Sequence, residues 1–436
     1  MQEVKITNIP QKIFKFFTQK AEALGKECRF KIRSSKLTPS AFLEALVSCC
    51  FSKEFNLEGF CCKLKQKNIT ITKQSLFERF NERTAYFIGC LATLCLKYFE
   101  TEKLPQLAIL NQFTAVNLID SSRVSLHTTL QEIFKGTGGD GPGAAVKIQM
   151  MFDYLSGQIK KLALTAACKN DQSFDNFLNS IKEGALYLMD LGYFKITSFK
   201  KINDGKAFFV SRFLTGTKIF SPEGIPLDLL FLLSHSEPSV SYQILLGVNA
   251  KLPMRLVAQR LSEELANRRR QKLKETIRRR TRKTPSKASL ALQSWSIFIT
   301  NTTEEQISFK KVSQIYAVRW QIELIFKLSK SLMQIDTLKT TKYYRVLIEM
   351  YGKFICMMLL FFLCAPVRYQ KNKEISFYKV CKLLNSKSYC FINSLTSLSR
   401  LKKFINSIYT EISLFALKDI KKKSPLLQEP FMESYF

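Results

Sequence analysis

The stretch "IYAVRWQIELIFKLSKS" (residues 315–331) decides how this chain is read. It is half aliphatic yet carries Tyr316, Arg319, Glu323 and Lys330. At about 100° per residue those four positions fall within about 60° of one another around a helix. Val318, Ile322, Leu324, Ile325 and Leu328 take the remaining face. A phenol, a guanidinium, a carboxylate and an ammonium thus share one narrow stripe on a helix that packs by its other sides. Taken alone, the stripe reads first as a solvated face with an i, i+4 ion pair between Arg319 and Glu323.

Composition narrows the choice. The chain has 436 residues, 46% of them hydrophobic, which is enough for a real core and for two or three domains. Sixty-seven Lys and Arg against 35 Asp and Glu leave a net charge of +32. A surface that electropositive is drawn to polyanions, and nucleic acid is the commonest of these. Twelve cysteines include the adjacent pairs Cys49–Cys50 and Cys61–Cys62 but no paired CxxC, so they read as reduced thiols rather than a zinc site. No N-terminal signal is visible, and the apolar run "FICMMLLFFLCAPV" (354–367) is too short to span a bilayer. A cytoplasmic, DNA-associated protein without a membrane partner is expected.

Residues 1–105 read as helical, from "IPQKIFKFFTQKAEAL" (9–24), "TPSAFLEALVSC" (38–49) and "KQSLFERFNERTAYFIGCLATLCLKY" (73–98). Strand patterns follow: "TAVNLID" (114–120), a hairpin of 145–157 with 158–167 about Ser156–Gly157, "ALYLMDLGYF" (185–194), "KAFFVSRF" (206–213) and "SWSIFITN" (294–301). Helices are expected near 173–183 and over 303–334, which makes this part an α/β domain with a mixed sheet. The block "RLSEELANRRRQKLKETIRRRTRKTPSK" (260–287), with Arg268, Arg269, Arg270, Arg278, Arg279 and Arg280, is either a mobile basic loop or an arm that tracks phosphates. "FKGTGGDGPGAAVK" (134–147) lacks the Gly-Lys-Ser/Thr ending of a phosphate loop and reads as a connection.

In so acid-poor a chain the placement of carboxylates matters. Asp120 and Asp190 each end an apolar strand, and Glu323 lies on the polar stripe. Three such acids supply the hard oxygens that Mg²⁺ takes, and a pair of ions can serve phosphodiester chemistry. Strand-end Asp residues also form turns and caps, so this assignment stays open at this point. The two histidines, His127 and His235, are too few for a His-rich metal centre.

The spacing Tyr316, Arg319, Glu323, Lys330 resembles the YREK signature of the insertion-sequence-four family of DDE transposases. Around it, "IYAVRWQIELIFKLSK" resembles that family's "Y..RW.IE..FK..K" segment. "NLIDSSRVSL" (117–126), "LMDLGYFKITSFKKINDGKAFFVSRF" (188–213) and "SWSIFITN" resemble its first-Asp, second-Asp and pre-YREK regions, in the right order over roughly 35–365. Leu191 departs from the Arg that often follows the second Asp, a position outside the triad.

The resemblance implies an RNase H-like catalytic domain over 106–345 with a β-rich insertion at about 214–292. A helical DNA-binding domain (1–105) would precede it, and a helical region (346–436) with a possible dimerisation role would follow. It implies that Asp120, Asp190 and Glu323 bind two Mg²⁺ ions, with Mn²⁺ a possible substitute. Tyr316, Arg319, Lys330 and Arg212 would hold phosphates, and Trp295 would receive a flipped-out base. For Trp295 and Trp320 a plain core role stands beside that one. The implied activity is cutting and joining of terminal inverted repeats by a homodimer through a hairpin intermediate. Two alternatives are a non-catalytic (decayed or domesticated) DNA-binding copy and a nuclease without strand transfer.

Overall fold

The structure is a computed structural model that describes residues 8–31, 36–52, 55–100, 109–138, 141–370 and 373–418. The boundary expected at 105 and the end of the C-terminal region, 419–436, lie outside the described residues.

Its centre is a ten-stranded mixed sheet. In chain order the strands are β1 (Val116–Ser125), β2 (Ala145–Asp153), β3 (Gln158–Ala166), β4 (Leu186–Met189), β5 (Phe208–Arg212), β6 (Ile219–Phe220), β7 (Pro226–Leu227), β8 (Ser239–Leu246), β9 (Leu252–Arg260) and β10 (Trp295–Thr300). They lie side by side as β3-β2-β1-β4-β5-β10-β9-β8-β6-β7. β1, β4 and β5 are mutually parallel and the remaining pairings are antiparallel. The expected hairpin turns at Gly157, whose φ of +69° suits glycine.

Side chains alternate between the two faces of a strand, and here both faces are covered. Leu118, Leu186, Leu188, Val210, Val257 and Phe298 face a core shared with the helices. Ile119, Tyr187, Met189, Phe209, Leu256 and Ile299 face a second core on the opposite side. The near-continuous apolar runs of β1 and β4 follow from this double burial.

The N-terminal helices, among them Pro39–Ser52 and Glu82–Tyr98, pack on the central helix Tyr343–Cys364. Of the C-terminal helices, Ser388–Ser394 contacts Pro39–Ser52 and Leu398–Phe415 contacts the N-terminal helix Ile9–Lys15. The helices from both ends of the chain therefore join the sheet in one core. The central helix is longer than the 14-residue apolar run suggested. Over Tyr343–Val367 it is long and apolar enough to cross a membrane, and 89% of its most apolar window is buried inside the protein. Its first two turns carry Tyr343, Tyr344, Arg345 and Glu349, which hid them from a search for apolar residues.

Several elements depart from expectation. "KQSLFERFNERTAYFIGCLATLCLKY" forms two helices, Lys73–Arg79 and Glu82–Tyr98, because the Asn81 side chain caps the second. Around 173–183 there are only short 3₁₀ turns, Asp171–Ser173 and Asn176–Ser180. Helix Ile196–Asp204 was not anticipated, and Leu57–Lys65 lies within the region read as helical without having been singled out. Residues 214–292, expected as an insertion, contain strands β6–β9, which extend the central sheet through the pairing of β9 with β10.

One buried ion pair bears on the site. Lys353 Nζ donates to Glu349 (2.7 Å) and to the carbonyl of Gln334 (2.8 Å), the left-handed residue that ends helix Trp320–Met333. Lys353→Met should therefore lower stability by about 2–4 kcal/mol, read by thermal or denaturant unfolding. Burial holds the Glu349 carboxyl above its usual range, so the loss should shrink in acid as that group takes up a proton. A loss under about 0.5 kcal/mol would show the pair to be dispensable.

Candidate active site

Strand register brings two acids together. Leu118 pairs with Leu188 and Ile119 with Met189 in the parallel ladder of β1 and β4. Asp120 and Asp190 are the next residue on each strand, on the face that looks toward the helices. Met189 in turn pairs with Ser211 of β5, so Arg212 takes the same row one strand further on. A row of Asp120, Asp190 and Arg212 thus crosses three adjacent strands at their carboxyl ends, where parallel sheets present ligands. Asp120 does not end its strand as the sequence suggested. β1 runs on to Ser125 because antiparallel β2 continues beside it, although its parallel partner stops at Met189.

The third acid comes from across the sheet. The expected single helix over 303–334 is two, Val312–Ala317 and Trp320–Met333. Between them the backbone tightens: Val318, Arg319, Gln321 and Ile322 each donate to the carbonyl three residues back. Arg319 sits at this junction with its side chain only 12% exposed. Its guanidinium donates to Asp120 Oδ2 (3.2 Å) and to Glu323 Oε1 (2.5 Å), joining strand acid to helix acid. Tyr316, buried below, points its hydroxyl at Asp190 Oδ1 (3.4 Å). The guanidinium groups of Arg212 and Arg319 both lie over the Tyr316 ring, at 5.6 and 5.7 Å.

The electrostatics follow from burial. Desolvation raises the Asp120 carboxyl to about 6, with Asp190 and Glu323 adding to the rise and the Ser121 N–H and Arg319 opposing it. The Tyr316 hydroxyl is pushed up to about 12, chiefly by burial, so it stays a donor. Beside these groups opens a groove of ≈ 610 Å³ lined by Asp120, Ser121, Glu323, Lys327, Lys330 and Asp336, among others. Lys327 lies only about 20° from Tyr316, at the edge of the stripe, and was overlooked there; Asp336 follows the end of the helix, where no helical spacing points to it. Among the described residues, no three His, Cys, Asp or Glu side chains already form a metal-holding cluster. The shared Arg319 guanidinium occupies the space between Asp120 and Glu323 instead.

The remaining candidates lie to one side. The basic block is a 19-residue helix, Glu263–Thr281, started by two acids in its first turn. Arg269 donates to the Trp295 carbonyl (3.3 Å) and Ser296 Oγ (3.1 Å), and Arg270 to Ser294 Oγ (2.6 Å) and Glu263 (2.6 Å), pinning its base to β10. Arg268, paired with Glu264, and Arg278 and Arg279 further along are exposed; Arg280 lies in the same helix. Trp295 is buried in the second core, whereas Trp320, at the start of helix Trp320–Met333, is 45% exposed.

Residues 111–359 match the family described as Transposase DDE domain, more than half of the chain. The chain is a DDE transposase of the insertion-sequence-four family. It is 26% identical over 418 residues to the transposase for insertion sequence element IS231F of Bacillus thuringiensis subsp. israelensis, covering 89% of this chain and 87% of that one. It is 28% identical to the IS231B transposase of Bacillus thuringiensis subsp. berliner, over 76% of this chain and 74% of that one. It is likewise 28% identical to the IS1151 transposase of Clostridium perfringens, over 66% and 65%. A cryo-EM structure of piggyBac transposase in a synaptic complex with hairpin DNA is also similar: 13% identity, TM-score 0.49, and 97% and 88% of the two chains covered. The transposase thus belongs to enzymes that cut and join DNA.

Proposed function

We propose that the transposase excises and inserts its own element by acting on the terminal inverted repeats, with 106–345 as an RNase H-like catalytic domain. The observation that carries this reading is the row Asp120, Asp190 and Arg212 on parallel strands, met from the helix side by Arg319 and Glu323. Asp120, Asp190 and Glu323 would hold two Mg²⁺ ions, or Mn²⁺. Their oxygens are the hard donors such ions take, and Arg319 shows that Asp120 and Glu323 already share one positive charge. Such ions, when bound, supply Lewis acidity and an activated oxygen nucleophile.

The chain's own residues do the rest. Arg319, Lys330, Arg212 and the Tyr316 hydroxyl bind and orient the phosphates beside the scissile bond, offsetting the repulsion that three carboxylates exert on DNA. The exposed Arg268, Arg278 and Arg279, with Arg280, carry the flanking backbone along the arm, while Arg269 and Arg270 hold its base. The base-receiving role that the resemblance implies for Trp295 would require it to be uncovered from the second core, in which it is buried. Hydrolysis at the element's end would free a 3′-hydroxyl that attacks the opposite strand, closing a hairpin later reopened and joined to target DNA by a homodimer.

The test is incubation of an end-containing duplex with full-length protein and Mg²⁺, with products resolved on denaturing gels. Nicked, hairpin and joined products are expected with Mg²⁺ and none with chelator. Glu323→Gln should still bind the duplex and lose all three. Cut ends without hairpins or joined products would instead identify a nuclease, and binding without nicking a decayed copy.

A further inference from the structure

Beneath Asp120, on the opposite face of the sheet, lies a polar network that the proposed chemistry does not use. Lys147 is an ammonium in the middle of apolar β2, with its side chain 2% exposed. Its Nζ donates to Asp171 Oδ1 (2.9 Å) and to the Lys169 carbonyl (2.5 Å). The same Asp171 oxygen accepts from Ser121 Oγ (2.9 Å) and Gln149 Nε2 (3.4 Å). Gln149 Oε1 then accepts from the buried Tyr193 hydroxyl (2.6 Å).

The two ends of this network are neighbours of the two strand acids. Ser121 follows Asp120, and its N–H donates to Asp120 Oδ1 (2.8 Å). Tyr193 lies in the 3₁₀ turn that follows Asp190, and its N–H donates to the Asp190 carbonyl (2.9 Å). Gly192 of that turn lies so close to Asp171 that a Cβ there would sit 3.1 Å from Oδ2. A buried ammonium paired to a carboxylate in mid-sheet costs desolvation that a hydrophobic pair would avoid. Here it yields a fixed acceptor placed between the backbones that carry Asp120 and Asp190.

Resting on the site reading above, we propose that Asp171, held by Lys147, is a positioning residue that sets Asp120 through Ser121 and the Asp190 turn through Gln149 and Tyr193. It touches neither DNA nor the reacting atoms. Partners of this kind that orient metal-binding carboxylates are typically worth ~10–100-fold in metal affinity or activity.

The test uses the full chain with Ser121→Ala, Asp171→Asn and the conservative Ser121→Thr. Four quantities are measured: Mn²⁺ binding by electron paramagnetic resonance, cutting of the end duplex, duplex binding in chelator, and unfolding temperature. Ser121→Ala and Asp171→Asn should each weaken Mn²⁺ binding and cutting by ~10–100-fold, with duplex binding in chelator unchanged. Ser121→Thr, which keeps the hydroxyl, should restore both. Should Asp171→Asn fail to fold, Ser121→Ala, which removes one hydroxyl, decides alone. Wild-type Mn²⁺ affinity in Ser121→Ala overturns the inference while leaving the site reading intact. So does a loss that Ser121→Thr does not restore. Wild-type protein that neither binds Mn²⁺ nor cuts overturns both.

Discussion

At about pH 7.5, Asp120→Asn should unfold at a higher temperature than the wild type in chelator, and in Mg²⁺ it should lose strand cleavage by on the order of 10³-fold or more. The two effects share one cause. Burial raises the Asp120 carboxyl to about 6, with Asp190 and Glu323 adding to it, against an unfolded value near 3.9. Between those values the native state holds a proton that the unfolded chain has released, so stability falls as pH rises through the window. Above it the whole penalty is present, on the order of 2–3 kcal/mol for a side chain 18% exposed. Asn carries no charge to desolvate and keeps an oxygen to accept the Ser121 N–H, while Arg319 retains Glu323. The variant's advantage should amount to a few degrees and disappear below about pH 4. A variant that melts below the wild type at neutral pH would show that the Arg319 contact outweighs the desolvation. Persistent cutting would remove Asp120 from the site altogether. A destabilised site of this kind is a familiar companion of function.

How much of this could be read from the sequence depends on whether the signal was local. The strands that build the row are short apolar runs, and Asp120 and Asp190 stood out as acids following them. That the acids are neighbours depends on the parallel register of Leu118 with Leu188, which no single strand encodes. The Arg319–Glu323 pair is an i, i+4 contact and was legible; the Arg319–Asp120 contact spans 199 residues and was not. The break at Val318–Arg319 has no Pro or Gly to announce it. Lys147 was passed over because "AVKIQMM" counts as an apolar strand with two polar exceptions, Gln149 and the more costly Lys147. Lys147 was the available clue, since an ammonium inside a doubly covered sheet requires a buried partner. The basic block was legible as charge but not as structure. Its two leading acids favour a helix, while its arginines alone say only that it is solvated.

Arg319→Ala should separate the two roles of that guanidinium. In metal-free protein it is the cation in contact with Asp120 and Glu323. Removing it leaves two partly buried carboxylates facing each other and Asp190. Breaking a fully buried pair costs ~3–5 kcal/mol. With Glu323 31% exposed, solvent screening reduces the expected loss here to about 1–3 kcal/mol. Millimolar Mg²⁺ should return most of that loss, because the ion would supply the charge that the arginine no longer does. The wild type should gain less from Mg²⁺, since there the ion competes with a cation already in place. Thermal unfolding with and without Mg²⁺ reads the difference directly. Cutting should stay at least ~10²-fold down even in saturating Mg²⁺, because a bound ion would make up for the charge of Arg319 but not for the phosphate contacts proposed for it. Equal Mg²⁺ shifts in wild type and variant would show that Arg319 does not occupy the cation's place. Full cutting by the variant would remove it from the DNA contacts and leave Lys330 and Arg212 to carry them.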